Sequence, residues 1–178
     1  VSETVKVVRM GELAVSATPE DELVSMGLGS CVGVALVDRE RAIAGLAHVM
    51  LPTANAAYSA PAKFADRAVP TLLASTERLG ARRERMVAVL AGGAQMFGGN
   101  ARTAGVAGLD LGARNEAAVR EALAEAGIPV RAAATGGDRG RTIRVCVGDA
   151  RVTVKEAGGE ELSLWHPGAP ADDLVEIR

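Results

Sequence analysis

Gly27-Leu-Gly-Ser-Cys-Val-Gly-Val-Ala-Leu-Val37, then Asp38-Arg-Glu-Arg41, then Ile43-Ala-Gly-Leu-Ala-His-Val-Met50 is the stretch that decides the fold. Two apolar runs of strand length flank a charged spacer, which reads as a β-hairpin. A glycine-rich turn, Gly27-Leu-Gly-Ser30, leads into the first run. With the turn centred between Arg39 and Glu40, Cys31 lies directly opposite His48. Facing residues of such a pair have Cα atoms roughly 4.5–5.5 Å apart. A thiol and an imidazole would then meet on one face, unless an odd-length loop or a bulge breaks the register.

Outward from the hairpin, Val5–Met10 and Glu12–Ser16 read as extended pieces broken by Gly11, and Leu23–Met26 as a third. After His48, the small-residue stretch from Pro52 to Pro61 is a loop. Helical spacing then runs from Ala62 to Leu79, with Phe64, Ala65, Ala68, Val69, Leu72, Leu73 and Thr76 on one side and Gly80 as the stop. Pro70 within it implies a kink or a late start. Met86–Ala91 reads as a buried strand, followed by Gly92-Gly93 and a long glycine-rich loop. A second helix covers Asn115 to Ala126, closed by Gly127. Val130–Ala134, Thr142–Val147 and Ala150–Val154 read as strands, the last two joined by Gly148-Asp149, a two-residue hairpin signal. Glu161–Leu164 is a further candidate strand, before Trp165-His166-Pro167 and a polar end. The fold class is α/β: a single-domain α/β sandwich over residues 1–178, with helices packed on a mixed, largely antiparallel β-sheet core. Residues 156–178 form a C-terminal tail.

Composition narrows the function. The chain has 178 residues and a net charge of −2, without the basic face that phosphate neutralisation needs. The cluster Arg78, Arg82, Arg83 and Arg85 is short and reads as a solvated helix end. No apolar run approaches the ~18 residues of a membrane span, and no signal segment opens the chain. Two cysteines, Cys31 and Cys146, exclude a disulfide scaffold and fit a reduced cytoplasmic setting. Neither His48 nor His166 has metal-ligand spacing, so no metal and no cofactor are expected.

Cys31 is therefore the residue whose chemistry matters. An ordinary thiol, with a pKa of about 8.5, is only a few per cent thiolate at neutral pH, and a neighbouring imidazolium would stabilise the thiolate as an ion pair. The glycine-rich turn lets backbone N–H groups converge on one spot, and Gly29, Ser30 and Cys31 are candidate oxyanion donors. A cysteine opening an apolar strand also serves simply as a small core residue, and a histidine on one as a hydrogen-bonded core group.

The ordered blocks Gly27–Val34, Gly45–Pro52, Lys63–Asp66, Ala91–Phe97, Leu111–Asn115 and Thr135–Arg141 resemble the CheD family of chemoreceptor glutamine deamidases, over residues 5 to 155. The resemblance implies hydrolysis of glutamine side chains on the cytoplasmic domains of chemotaxis receptors, through a thioester. It maps the nucleophile to Cys31 and the base to His48. The family's third catalytic residue, usually threonine, maps to Ser25, which keeps the hydroxyl. It also implies a partner, a CheC-type response-regulator phosphatase that competes for the receptor-binding surface. Two alternatives stay open: a protein acting mainly as that regulatory partner, and a cysteine hydrolase of other specificity, such as a receptor methylesterase. A depressed Cys31 pKa would mark catalysis, an ordinary one the binding role. Arg114, Asn115, Arg139 and Arg141 are read as structural, binding turns or lining the cleft.

Overall fold

A computed structural model describes residues 4–55, 60–96, 111–170 and 174–178. Within them the strands are β1 (Thr4–Val7), β2 (Leu13–Ser16), β3 (Asp21–Leu28), β4 (Val32–Asp38), β5 (Ala44–Val49), β6 (Met86–Gly92), β7 (Val130–Thr135), β8 (Arg141–Cys146), β9 (Arg151–Glu156), β10 (Glu161–Trp165) and β11 (Val175–Ile177). The helices are α1 (Ala65–Arg78) and α2 (Leu111–Glu125). The strands form a five-stranded sheet, β1-β3-β8-β9-β10, and a six-stranded sheet, β11-β7-β6-β4-β5-β2. Both sheets are mixed: β1/β3, β6/β7 and β7/β11 run parallel, the other pairs antiparallel.

The six-stranded sheet is buried on both sides, which explains the unbroken apolar runs in its central strands. Val32, Val34 and Leu36 of β4 pack with Ala68, Leu72, Val119 and Leu123 of the helices. Ala35 and Val37 face the other way, into a core shared with Leu23, Ile143 and Val145 of the five-stranded sheet. Gly33 lies on that inter-sheet side, where a Cβ would press on Leu28 and Ile143 at 2.9 Å. Strand alternation thus assigns each residue of β4 and β5 to the helix layer or to the inter-sheet layer.

The expected hairpin forms, but with a longer turn. Asp38 N–H donates to Ile43 O (3.0 Å), leaving residues 39–42 as the connection. The buried Asp38 carboxylate accepts N–H bonds from Glu40 (3.0 Å) and Arg82 (3.1 Å) and a guanidinium fork from Arg85 (2.6–3.1 Å). Burial alone would raise the Asp38 pKa; these donors hold it below the usual carboxylate value. Anchoring Asp38 as the last residue of β4 widens the turn and moves the register, so Gly33, not Cys31, faces His48. The β8–β9 turn lengthens in the same way: Cys146 pairs with Arg151, and Asp149 Oδ1 accepts the Arg151 N–H at 3.0 Å.

Other boundaries shift modestly. A 3-10 turn, Pro61–Lys63, precedes α1, so the start is late and the helix runs through Pro70, whose side is exposed. α2 begins at Leu111, a turn before Asn115. The polar end contributes β11, which adds to β7. The glycine-rich loop expected after Gly93 lies outside the described residues from 97 to 110, as do residues 56–59 of the earlier loop. Among the described residues, no helix is long and apolar enough to cross a membrane.

Candidate active site

Three elements deliver the residues singled out by sequence. His48 sits near the end of β5, its backbone pinned on the β2 side: His48 N–H donates to Glu12 O and Gly11 N–H to His48 O, both 3.0 Å. Its ring faces between the sheets and is 1% exposed. Ser25 reaches it from β3 in the opposite sheet and is fully buried. Ser25 Oγ lies 2.8 Å from His48 Nδ1 and 2.9 Å from Val8 O.

That pair of distances fixes the protons. A serine hydroxyl has one hydrogen, and Val8 O is only an acceptor, so Ser25 donates to Val8. Ser25 Oγ must then accept from His48, placing the imidazole proton on Nδ1. The lone pair is left on Nε2, which is buried and has no hydrogen-bond partner among the described residues. A buried, unpaired acceptor costs about 1–3 kcal/mol. A general base awaiting a proton has this arrangement.

Cys31 immediately precedes β4 and packs, half-buried, against the inter-sheet core. Because the register moves by two residues, the side of the sheet is unchanged: Cys31 is the diagonal neighbour of His48 rather than its facing partner. The turn carrying it is held by its carbonyls. Gly29 O accepts from Ala94 N–H (2.7 Å), Ser30 O from Asn115 Nδ2 (2.9 Å) and Cys31 O from Gly93 N–H (2.8 Å). Gly92, at φ +109°, has no room for a side chain, since a Cβ would overlap the Cys31 carbonyl oxygen. Gly29 N–H is committed to Gly27 O at 3.0 Å. The amides of Ser30 and Cys31 have no backbone acceptor among the described residues.

The electrostatics differ from the expected ion pair. Burial pushes the Cys31 thiol pKa up. Burial also pushes His48 below its ordinary value, against a smaller opposing effect of the Val8 carbonyl. Both groups therefore rest neutral near pH 7, because low-dielectric surroundings disfavour either charge.

The remaining sequence candidates separate cleanly. Arg141 is buried and binds Gly136 O (2.6 Å), with Glu156 at 3.3 Å; Arg139 meets the same Glu156 from the surface. Cys146 lies on β8, remote in register from the hairpin, with the Arg151 guanidinium 3.6 Å from its sulfur. His166 accepts the Gly168 N–H on the exposed tail. Asn115, read from sequence as structural, is fully buried and bridges Ser30 O and Met50 O, both at 2.9 Å. Its position in the block Leu111–Asn115 was the available signal. Among the described residues, no cluster of three or more His, Cys, Asp or Glu side chains is arranged to hold a metal.

The family model described as CheD chemotactic sensory transduction matches residues 50–156, a segment that begins just after His48. Relatives extend the match over most of the chain. The "Probable chemoreceptor glutamine deamidase CheD" of Methanococcus vannielii is 41% identical over 150 residues, 84% of this chain and 93% of that one. Its namesake in Clostridium novyi is 42% identical, covering 80% and 87%. The "Chemoreceptor glutamine deamidase CheD" of Thermotoga maritima is 39% identical, covering 88% and 94%. Among solved structures, a Neisseria meningitidis protein of family DUF152 superposes with a TM-score of 0.44 and 17% identity, over 76% of this chain and 63% of that one.

Proposed function

The chain belongs to the CheD family, and from that premise we propose that it is a protein-glutamine glutaminase acting on chemoreceptor cytoplasmic domains, with Cys31 as nucleophile, His48 as base and Ser25 orienting His48. The observation that carries this reading is the state of His48: Nδ1 held by Ser25, Nε2 buried and unpartnered among the described residues, on the side of the sheet that bears Cys31. A histidine serving only as core would have both nitrogens satisfied.

The neutral resting pair sets the order of events. As the sulfur attacks the glutamine carboxamide carbon, His48 Nε2 takes the thiol proton, so the nucleophile is generated in the act. The Ser30 and Cys31 amides, with no backbone acceptor among the described residues, receive the carbonyl oxygen as it becomes an oxyanion. His48 then passes its proton to the departing nitrogen, releasing ammonia and leaving a thioester. Water, deprotonated by His48, attacks the thioester; glutamate leaves and the thiol regains its proton. Gly29 contributes the turn rather than a donor, its amide being engaged with Gly27.

One observation favours a second reading. A thiol raised by burial is what a chain retained mainly as the partner of a CheC-type phosphatase would show. The two separate in one experiment. The protein is incubated with receptor cytoplasmic domains, and glutamine-to-glutamate conversion is mapped by mass spectrometry. Conversion by wild type and none by Cys31→Ala supports the deamidase; equal conversion by both ends the Cys31 assignment. Phosphatase stimulation without conversion favours the binding role. Release of methanol instead of ammonia from methylated receptors would reassign the reaction to ester hydrolysis.

A further inference from the structure

Asn115 Nδ2 donates at once to Ser30 O, in the turn before the nucleophile, and to Met50 O, two residues beyond His48. One buried amide thus ties the Cys31 turn to the end of β5. With two carbonyls as its partners, that end of the side chain must be the NH2 group, so no flip of the amide fits. Asn115 Oδ1, also buried, has no partner among the described residues, so within them the side chain is held by its donor end.

The consequence lies in the peptide plane. The Ser30 carbonyl and the Cys31 N–H belong to one planar trans peptide and point in opposite directions. Ser30 O is drawn toward α2, on the helix side of the six-stranded sheet, where Val119 and Leu123 pack. The Cys31 N–H is thereby directed away from the Asn115 side chain. It has no backbone acceptor among the described residues. A hydrogen bond on the carbonyl also polarises the N–H of the same peptide, making it a better donor.

We propose that Asn115 is a positioning residue for the oxyanion site: it holds the Ser30–Cys31 peptide so that the Cys31 amide meets the developing oxyanion, in fixed relation to His48. This rests on the deamidase reading above. Asn115 touches no reacting atom; it acts through the backbone of the nucleophile. Its contribution is therefore confined to steps in which an oxyanion forms.

The test compares two reactions of the same sulfur in wild type, Asn115→Asp and Asn115→Ala. Deamidation of a receptor fragment passes through an oxyanion. Alkylation of Cys31 by iodoacetamide, followed on its own peptide at pH 8.5, is a displacement at saturated carbon and forms none. Loss of an oxyanion donor costs about 100- to 1000-fold in kcat; freeing the donor while leaving it present should cost about 10- to 100-fold, with KM within about twofold. Alkylation should stay within about twofold. If the carboxylate of Asn115→Asp, facing two carbonyls, prevents folding, Asn115→Ala carries the comparison, with a melting curve as its folding control. Wild-type kcat in a folded variant overturns the positioning role and leaves the deamidase reading standing. A fall in alkylation that matches the fall in kcat also overturns it, because the thiol itself is then disturbed. No deamidation by wild type overturns both.

Discussion

Removing the Ser25 hydroxyl strikes the atom on which the proton assignment depends. In Ser25→Ala, His48 Nδ1–H loses its acceptor at 2.8 Å and Val8 O its donor at 2.9 Å, both in a fully buried place. Leaving such groups unpaired costs about 1–3 kcal/mol. At about 2–4 °C per kcal/mol for a domain of this size, Tm should fall by about 2–12 °C. The catalytic loss comes from orientation. With no hydroxyl to hold it, the ring loses its angle toward Cys31, and misplacement by an ångström costs about 100-fold. The expected fall in kcat is therefore about 10- to 100-fold, measured as ammonia release from a receptor fragment with melting curves alongside. Ser25→Thr, which restores a hydroxyl and matches the residue implied by the family resemblance, should recover most of the activity. A Ser25→Ala protein with wild-type kcat would refute the orienting role, whatever its Tm.

Three further outcomes follow from the site's geometry. His48 must be neutral to act as base, and burial lowers its pKa, so the acid limb of kcat/KM should fall below the ordinary histidine value of about 6.5; a limb at or above that value contradicts the buried base. The sign for stability is the same: the unfolded chain takes up the proton first, so stability held above about pH 6.5 is lost as pH falls through the lowered native pKa, and His48→Gln should flatten that part of the curve. Gly92→Ala forces a Cβ onto the Cys31 carbonyl at a φ of +109°. Strain of about 1–3 kcal/mol, with overpacking of similar size, should lower Tm by about 4–24 °C and, by displacing Cys31, abolish most of the deamidation.

Much of the architecture was legible because it is local. The apolar runs of β4, β5 and β6, the helical stripe of α1 and the closing glycines each announce themselves within one element. The division of the eleven strands among the described residues between two sheets does not, since β3 meets β8 across more than a hundred residues of chain, and periodicity carries no information about partners that distant. β11 escaped for a related reason: Val175–Ile177 is too short and too exposed to show a pattern, and becomes a strand only because β7 offers an edge. Asn115 was visible as part of a block, but its role depends on two carbonyls contributed by other elements.

The hairpin shows why a wrong register still put Cys31 and His48 on one side of the sheet. Placing the turn between Arg39 and Glu40 ignored what Asp38 does when buried, which is to collect Glu40, Arg82 and Arg85 and so lengthen the connection. The error is two residues, and strand side chains repeat with a period of two, so Cys31 and His48 stay on the same side of the sheet. An error of one would have sent His48 into the helix layer, away from Ser25. What did not carry over was the charge state. Facing partners in partial solvent suggest an ion pair; diagonal partners between two sheets are desolvated, and burial drives both toward neutrality. Under the proposed mechanism that difference has a chemical use. A resting thiolate is the form that oxidants and stray electrophiles attack, whereas a neutral thiol beside an unprotonated Nε2 becomes nucleophilic only when a carbonyl is in place to receive the sulfur.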